Sequence, residues 1–192
     1  DEYTIAKNSS AIGKKRFIHI SCFEDRSKNI SGLLHAISKL AEVRNDFECI
    51  LVGEGIDLEK MKSLALDLGL DSSVVKFTGL LENQQVVDAY HNAAFMVMFS
   101  NFENMPVVIS ESLSCGLPVV ATAVGGIPEY IHKDNGILVA AADEAALSKA
   151  IGYMLDHSSD FDRNKIRQNA VGIFGKQAVQ AKLMELYSYV KY

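Results

Sequence analysis

FSNFENMPVVISESLSCGLPVVATAVGGIPEY, residues 99–130, is the stretch whose reading decides the fold. It reads in order as a strand end, a loop, a helix, a tight turn, a short strand and a glycine loop. Pro106 suits the first helical position, where its missing N–H has no intrahelical partner to lose. Residues 107–115 continue the helix. Gly116 offers the left-handed backbone that ends it, and Pro118 blocks its resumption. Val119, Val120 and Ala121 make a buried strand, and Gly125-Gly126 follow at once. The start of such a helix presents free N–H groups and a partial positive charge, a natural seat for a phosphate. Glu111, further along the same helix, is placed to accept hydrogen bonds from sugar hydroxyls beside that phosphate. The stretch therefore reads as one half of a nucleotide-sugar site.

Working outward, the same alternation recurs. Short apolar runs predict strands over 17–23 (FIHISCF), 48–52, 74–78, 95–99, 119–121 and 136–139. Between them, apolar residues at helical spacing predict helices over about 29–43, 58–68, 84–92 and 144–155, with two more over 160–173 and 176–189. Residues 24–28 read as a charged loop. Continuous apolar strands alternating with amphipathic helices predict a parallel sheet covered on both faces. The fold class expected is α/β: a doubly wound, Rossmann-like, six-stranded parallel sheet. Residues 1–16 read as a linker or arm, 17–157 as the nucleotide-sugar-binding domain, and 158–192 as C-terminal helices.

Ligands of such sheets bind beyond the carboxyl ends of the strands, and the unusual chemistry of this sequence gathers there. Arg26 and Lys28 follow the first strand. They read as neutralising a diphosphate or as a solvated charged loop, with Lys28 the better candidate because it adjoins a helix start. Gly53-Glu54-Gly55 follows the second strand, with Leu58 where a dinucleotide fingerprint has its third glycine. A tight turn and a backbone contact to ligand both stay open for it. Gly79-Leu80-Leu81 follows the third strand, either as an ordinary turn or as an apolar face for a flat base. Gly125-Gly126 permits close backbone approach to a ligand, with Glu129 capping that loop or simply exposed. Glu103 and Glu111 form the sharpest pair. In continuous helix they would lie roughly 12 Å apart, beyond the roughly 5 to 9.5 Å of a two-carboxylate hydrolase. Separate roles fit better: Glu111 on a ribose, Glu103 nearer a sugar.

Composition bounds the rest. The 192 residues are 48% hydrophobic, enough for a sizeable core, and the net charge of −5 argues against a surface that coats nucleic acid. No run of eighteen apolar residues occurs. The chain opens on Asp1, and a piece of a longer protein is expected. Cys22, Cys49 and Cys115 have no zinc spacing and are expected to be small core hydrophobes in a reducing compartment. The histidines are scattered, so no metal site is expected.

Taken together, Ser100-x-x-Glu103-x-x-Pro106, Glu111, the run from Cys115 to Thr122 and Gly125-Gly126-x-Pro128-Glu129 resemble the donor-site signature of family 4 retaining glycosyltransferases. The stretch from Leu51 to Gly55, Phe77-Thr78-Gly79 and Lys28-Asn29 match that pattern in the same order. The resemblance implies one half of a GT-B architecture, in which two Rossmann-like domains flank the active site. Glu103 would be the catalytic residue beside the donor sugar, and Glu111 would bind the ribose. Lys28, with Arg26, would meet the diphosphate, as would backbone amides near Asn104, Met105, Pro106 and Val107. Gly53, Gly79, Leu80 and Gly126 complete the expected donor site. The resemblance implies no metal or other cofactor. The partners expected are a nucleoside-diphosphate sugar and an N-terminal acceptor-binding domain, toward which the last helices would return. An acceptor such as a glycan or a lipid-linked saccharide is implied, in the cytoplasm and at the inner face of the membrane through the missing domain. Alone, the chain is expected to bind donor without turnover. Asn104 stands where the family usually has glycine, and Cys22-Phe23-Glu24 where it often has Gly-Arg-Leu. The alternatives are a GT-B-shaped sugar-nucleotide epimerase, against which the spacing of Glu103 and Glu111 argues, and a non-catalytic nucleotide-binding or interaction domain.

Overall fold

A computed structural model of the chain describes residues 13–189. Most of the arm expected over residues 1–16 lies outside that span, as do the last three positions of the C-terminal segment. Six parallel strands form one sheet in the order β3-β2-β1-β4-β5-β6. They are β1 (Lys15–Ile20), β2 (Phe47–Val52), β3 (Val75–Gly79), β4 (Phe95–Met98), β5 (Val119–Thr122) and β6 (Gly136–Val139). The order reverses between β1 and β4, which is the switch point where doubly wound sheets open a crevice.

The helices are α1 (Asp25–Lys28), α2 (Ile30–Ala41), α3 (Leu58–Asp67), α4 (Gln84–His91), α5 (Val107–Ser114), α6 (Glu144–His157), α7 (Arg163–Phe174) and α8 (Lys176–Tyr189). On one face, α2, α3 and α6 bury Leu33, Ile37, Met61 and Ile151 with the strand residues Phe17, Phe95 and Val97. On the other, α4, α5 and α7 bury Tyr90, Ile109, Leu113 and Ile166 with Ile18, Met96 and Met98. Alternate strand residues thus supply the two cores, because successive side chains point to opposite faces.

Several sequence expectations shift. The first strand takes in Lys15 and Arg16 from the expected arm and ends at Ile20, so Phe23 is buried from a loop instead. The stretch read as a charged loop contains α1, a single turn too short to show periodicity. Pro106 is the cap of α5, at φ −71 and ψ 123, rather than its first helical residue. Cys49 and Cys115 are buried, but Cys22 is exposed, because its strand has already ended.

The end of α5 is fastened from a distance. Gly116 adopts φ 72, and a methyl there would meet the Arg163 carbonyl oxygen at 2.6 Å. Arg167 donates to the Ser114 carbonyl at 2.6 Å, as a cation favourably placed at a helix C-terminus. These contacts seat α7 against α5.

Phe95 packs its ring on Phe17, centroids 5.2 Å apart and planes at 11°, in the middle of the sheet. Replacing Phe95 by Ala should cost about 3–5 kcal/mol, cavity included. A fall of that size in urea-unfolding free energy is expected, and a loss below about 1 kcal/mol would contradict this packing.

Candidate functional site

The switch point is bridged by side chains from loops that leave adjacent strands. Lys28, the last residue of α1, donates from Nζ to Glu103 Oε1 at 2.6 Å. Ser100, just beyond β4, donates its hydroxyl to the same oxygen at 2.8 Å. Thr122, at the end of β5, donates to the Ser100 carbonyl at 2.7 Å. Both of these bonds to Glu103 fall on Oε1. The side chains of Lys28 and Glu103 are only 18% and 7% exposed, so this pair is not a screened surface contact of small worth.

Backbone contacts set that geometry. The amide of Asn101 donates to the Ser27 carbonyl at 2.8 Å, and its side-chain amide to the Arg26 carbonyl at 3.1 Å. The loop after β4 is thereby tied to α1. From the far side, the amide of Gly126 donates to the Asn104 carbonyl at 2.8 Å. Gly125 has φ +55, and a methyl there would lie 1.8 Å from the Glu103 carbonyl oxygen. Glycine is needed because two backbones touch. Asn104 is not among the described residues with positive φ, so the loop makes no left-handed demand where the family's glycine stands.

The two helix starts at the rim differ. The first turn of α2 is filled from within: Asp25 Oδ1 accepts from the Ser31 amide at 2.7 Å, and Asn29 Oδ1 from the Gly32 amide at 3.2 Å. The phosphate seat expected beside Lys28 at this helix start is therefore occupied by the chain's own oxygens. At α5 the Pro106 cap offers no side-chain acceptor, and this N-terminus faces the loop that carries Glu103. Glu111, one turn further on, is half-buried, and the Tyr90 hydroxyl lies 3.1 Å from its Oε2.

The remaining residues expected in the site are spread along the rim. Arg26, Asn104, Val107 and Leu80 are exposed, Met105, Gly79 and Gly126 are half-buried, and Pro106 and Gly53 are buried. A methyl on Gly53 would sit 1.9 Å from the Ser21 carbonyl oxygen, so packing of the β1 loop accounts for that glycine. Sequence reasoning passed over His19, which lies under the crevice and is fully buried. Its Nδ1 lies 3.0 Å from the Val97 carbonyl, and its Nε2 2.7 Å from the Ser21 hydroxyl. A carbonyl only accepts, so Nδ1 carries the proton and the serine donates to Nε2. Burial pushes its pKa from 6.5 down to about 4; the Val97 hydrogen bond opposes the fall, and Lys28 adds to it. A polar residue inside the apolar run FIHISCF was the available signal.

Comparison with known proteins identifies the family and the fold. The family model described as "Glycosyl transferases group 1" matches residues 14–157. A GDP-mannose-dependent monoacylated alpha-(1-6)-phosphatidylinositol monomannoside mannosyltransferase of Corynebacterium glutamicum is 29% identical over 162 residues, covering 81% of this chain and 40% of the relative. An N-acetyl-alpha-D-glucosaminyl L-malate synthase of Bacillus anthracis is 28% identical over 193 residues, covering 100% of this chain and 47% of the relative. The solved apo structure of a lipopolysaccharide outer core galactosyltransferase superposes with a TM-score of 0.84 at 17% identity, covering 97% of this chain and 53% of the other, a likeness of fold alone. The chain thus spans about half the length of these proteins or less. It belongs to the glycosyl transferases group 1 family, and its fold is that of one GT-B half.

Gly125→Ala should cost about 1–2 kcal/mol for left-handed backbone alone, and overlap with Glu103 adds to that. An unchanged melting temperature would mean that the loops are not packed as described. His19 gives a pH signature. Between pH 6.5 and about 4 the unfolded chain holds a proton on His19 that the folded chain does not. Stability is therefore complete above 6.5 and falls as pH drops toward 4, by on the order of 3 kcal/mol. Urea unfolding across that window should show this slope, flattened in His19→Gln; equal slopes would contradict a neutral buried imidazole.

Proposed function

We propose, with membership of this family as the premise, that the chain is the donor-binding domain of a retaining glycosyltransferase. It transfers a sugar from a nucleoside-diphosphate sugar to an acceptor such as a glycan or a lipid-linked saccharide. The observation that carries this reading is the desolvated Lys28–Glu103 pair beside a helix start without a side-chain cap. In transfer, the bond from the anomeric carbon to the diphosphate oxygen breaks, the carbon is joined to an acceptor hydroxyl oxygen, and the hydroxyl proton passes to the departing diphosphate. Negative charge grows on the departing diphosphate. Preorganised N–H groups at the start of α5 and the Lys28 ammonium oppose that growth without help from solvent. The phosphate seat in this reading is α5, near Asn104, Met105, Pro106 and Val107, because the start of α2 is self-capped. Arg26, exposed at the same rim, adds a second cation. Glu103 meets the sugar through Oε2, and Glu111 meets the ribose. Leu80, 57% exposed beyond β3, offers the base an apolar face. No metal is invoked, since the cations of the chain carry that role.

The acceptor belongs to an N-terminal domain outside this chain. Support comes from α8, which buries no residue against the sheet and exposes Leu183, Leu186 and Tyr187. Among the described residues no helix is long and apolar enough to cross a membrane. A cytoplasmic location, with attachment to the inner membrane face through the N-terminal domain, completes the proposal. The relatives' names include a GDP-mannose-dependent mannosyltransferase and an N-acetylglucosaminyl malate synthase, so hexose donors are the class to test first.

Thermal melting with UDP, GDP, ADP and NAD tests the reading. At a hundred times its dissociation constant a ligand stabilises by about 2.7 kcal/mol, and one nucleoside diphosphate should raise the melting temperature accordingly. Glu111→Ala should abolish that shift. A response to NAD alone would replace the reading with a dinucleotide enzyme.

A further inference from the structure

We infer that Tyr90 is a positioning residue of the donor site, whose buried phenol turns the Glu111 carboxylate toward the ribose; this rests on the donor-binding reading above. Tyr90 sits near the end of α4 and is fully buried, its ring packed in the core with Met98, Ile109 and Leu113. The ring cannot move without emptying that core, so its hydroxyl is a fixed point. That hydroxyl lies 3.1 Å from Glu111 Oε2 and 3.2 Å from the Val108 carbonyl. A phenol has one hydrogen to give, and of two acceptors a carboxylate makes the stronger bond.

The consequence for Glu111 follows from its torsions. The last torsion of a glutamate is broad and roughly two-fold, so rotamer preference alone does not fix the carboxylate plane. A hydrogen bond from an immobile donor does. It ties Oε2 to the core side and defines how the rest of the carboxylate meets the crevice. With its hydrogen given to Glu111, the phenol has none left for the Val108 carbonyl, so the carboxylate is what this hydroxyl orients. A carboxylate oriented in advance loses less freedom when a ribose binds. Tyr90 itself stays out of reach of any ligand, because its whole side chain is enclosed.

The test compares UDP, GDP and ADP with their 2′,3′-dideoxy analogues by calorimetry on the full chain, in wild type, Tyr90→Phe, Glu111→Ala and the double variant. Tyr90→Phe keeps the ring and removes only the hydroxyl. It should weaken the ribonucleotide that binds by about tenfold, as for a lost hydrogen bond to a charged group. The dideoxy analogue has no ribose diol to present, so its affinity should not change. The double variant should bind no more weakly than Glu111→Ala. If Glu111→Ala discriminates between the two sugars and Tyr90→Phe does not, the role of Tyr90 is overturned and the ribose assignment stands. If Glu111→Ala fails to discriminate, or no nucleotide binds wild type, the underlying reading falls and this inference with it. Should Tyr90→Phe melt below the assay temperature, 3-fluorotyrosine at position 90 takes its place. It keeps ring and hydroxyl while strengthening the donor, and an unchanged ratio of ribose to dideoxy affinity would overturn the inference.

Discussion

Lys28 and Glu103 are separated by 75 positions, yet their side chains meet at 2.6 Å, and the polar architecture of the rim depends on that meeting. A largely desolvated ammonium or carboxylate is costly alone, and each is tolerable here because the other is present. The pair requires β1 and β4 to be neighbours, since each residue leaves one of those strands. It also requires the loops to run at a set height, which the Asn101–Ser27 and Gly126–Asn104 backbone bonds impose. The Lys28–Glu103 pair is thus held by bonds of the chain itself.

The same economy appears beneath the rim. Four hydroxyl groups, on Ser21, Ser100, Thr122 and Tyr90, take partners on the two strand ends and on α5, and among the described residues no buried side-chain polar atom lacks a hydrogen bond. His19 takes part in one of these contacts, with Ser21, and also bonds the Val97 carbonyl; burial lowers its pKa and favours the neutral ring. Electrostatic selectivity at the surface of the crevice is sharper when the layer below it is neutral and satisfied. Lys28, Glu103 and Glu111 stand on the turn, loop and helix beyond the strand ends, at the edge of the sheet where a charged donor is proposed to bind.

The two helix starts show how similar local sequence can serve different ends. Both α2 and α5 begin at the carboxyl edge of the sheet, and both offer orphan N–H groups. At α2 the preceding turn supplies Asp25 and Asn29 as internal acceptors. At α5 a proline cap supplies none. That contrast moves the candidate phosphate seat away from the basic turn and onto the loop that holds Glu103.

Periodicity is a local property, and what is local was legible. Apolar runs of three to seven residues bounded by turns gave the six strands of the described residues. Apolar residues at helical spacing, with the Pro106 and Gly116 signals for α5, gave seven of the eight α-helices among the described residues. The turn α1 escaped, being four residues long, and so did the capping role of Pro106, which depends on one backbone angle. The exposure of Cys22 also escaped, because strand ends are set by what the neighbouring strand can pair. From the spacing of Glu103 and Glu111 the sequence by itself determined that two carboxylates stand at one loop and helix. Only the tertiary structure decided which groups hold them. Lys28 and Tyr90 reach those carboxylates across 75 and 21 positions, and contacts between separate elements leave no period in a chain. Strand order and helix packing bring such residues together, and both are properties of the whole packed sheet.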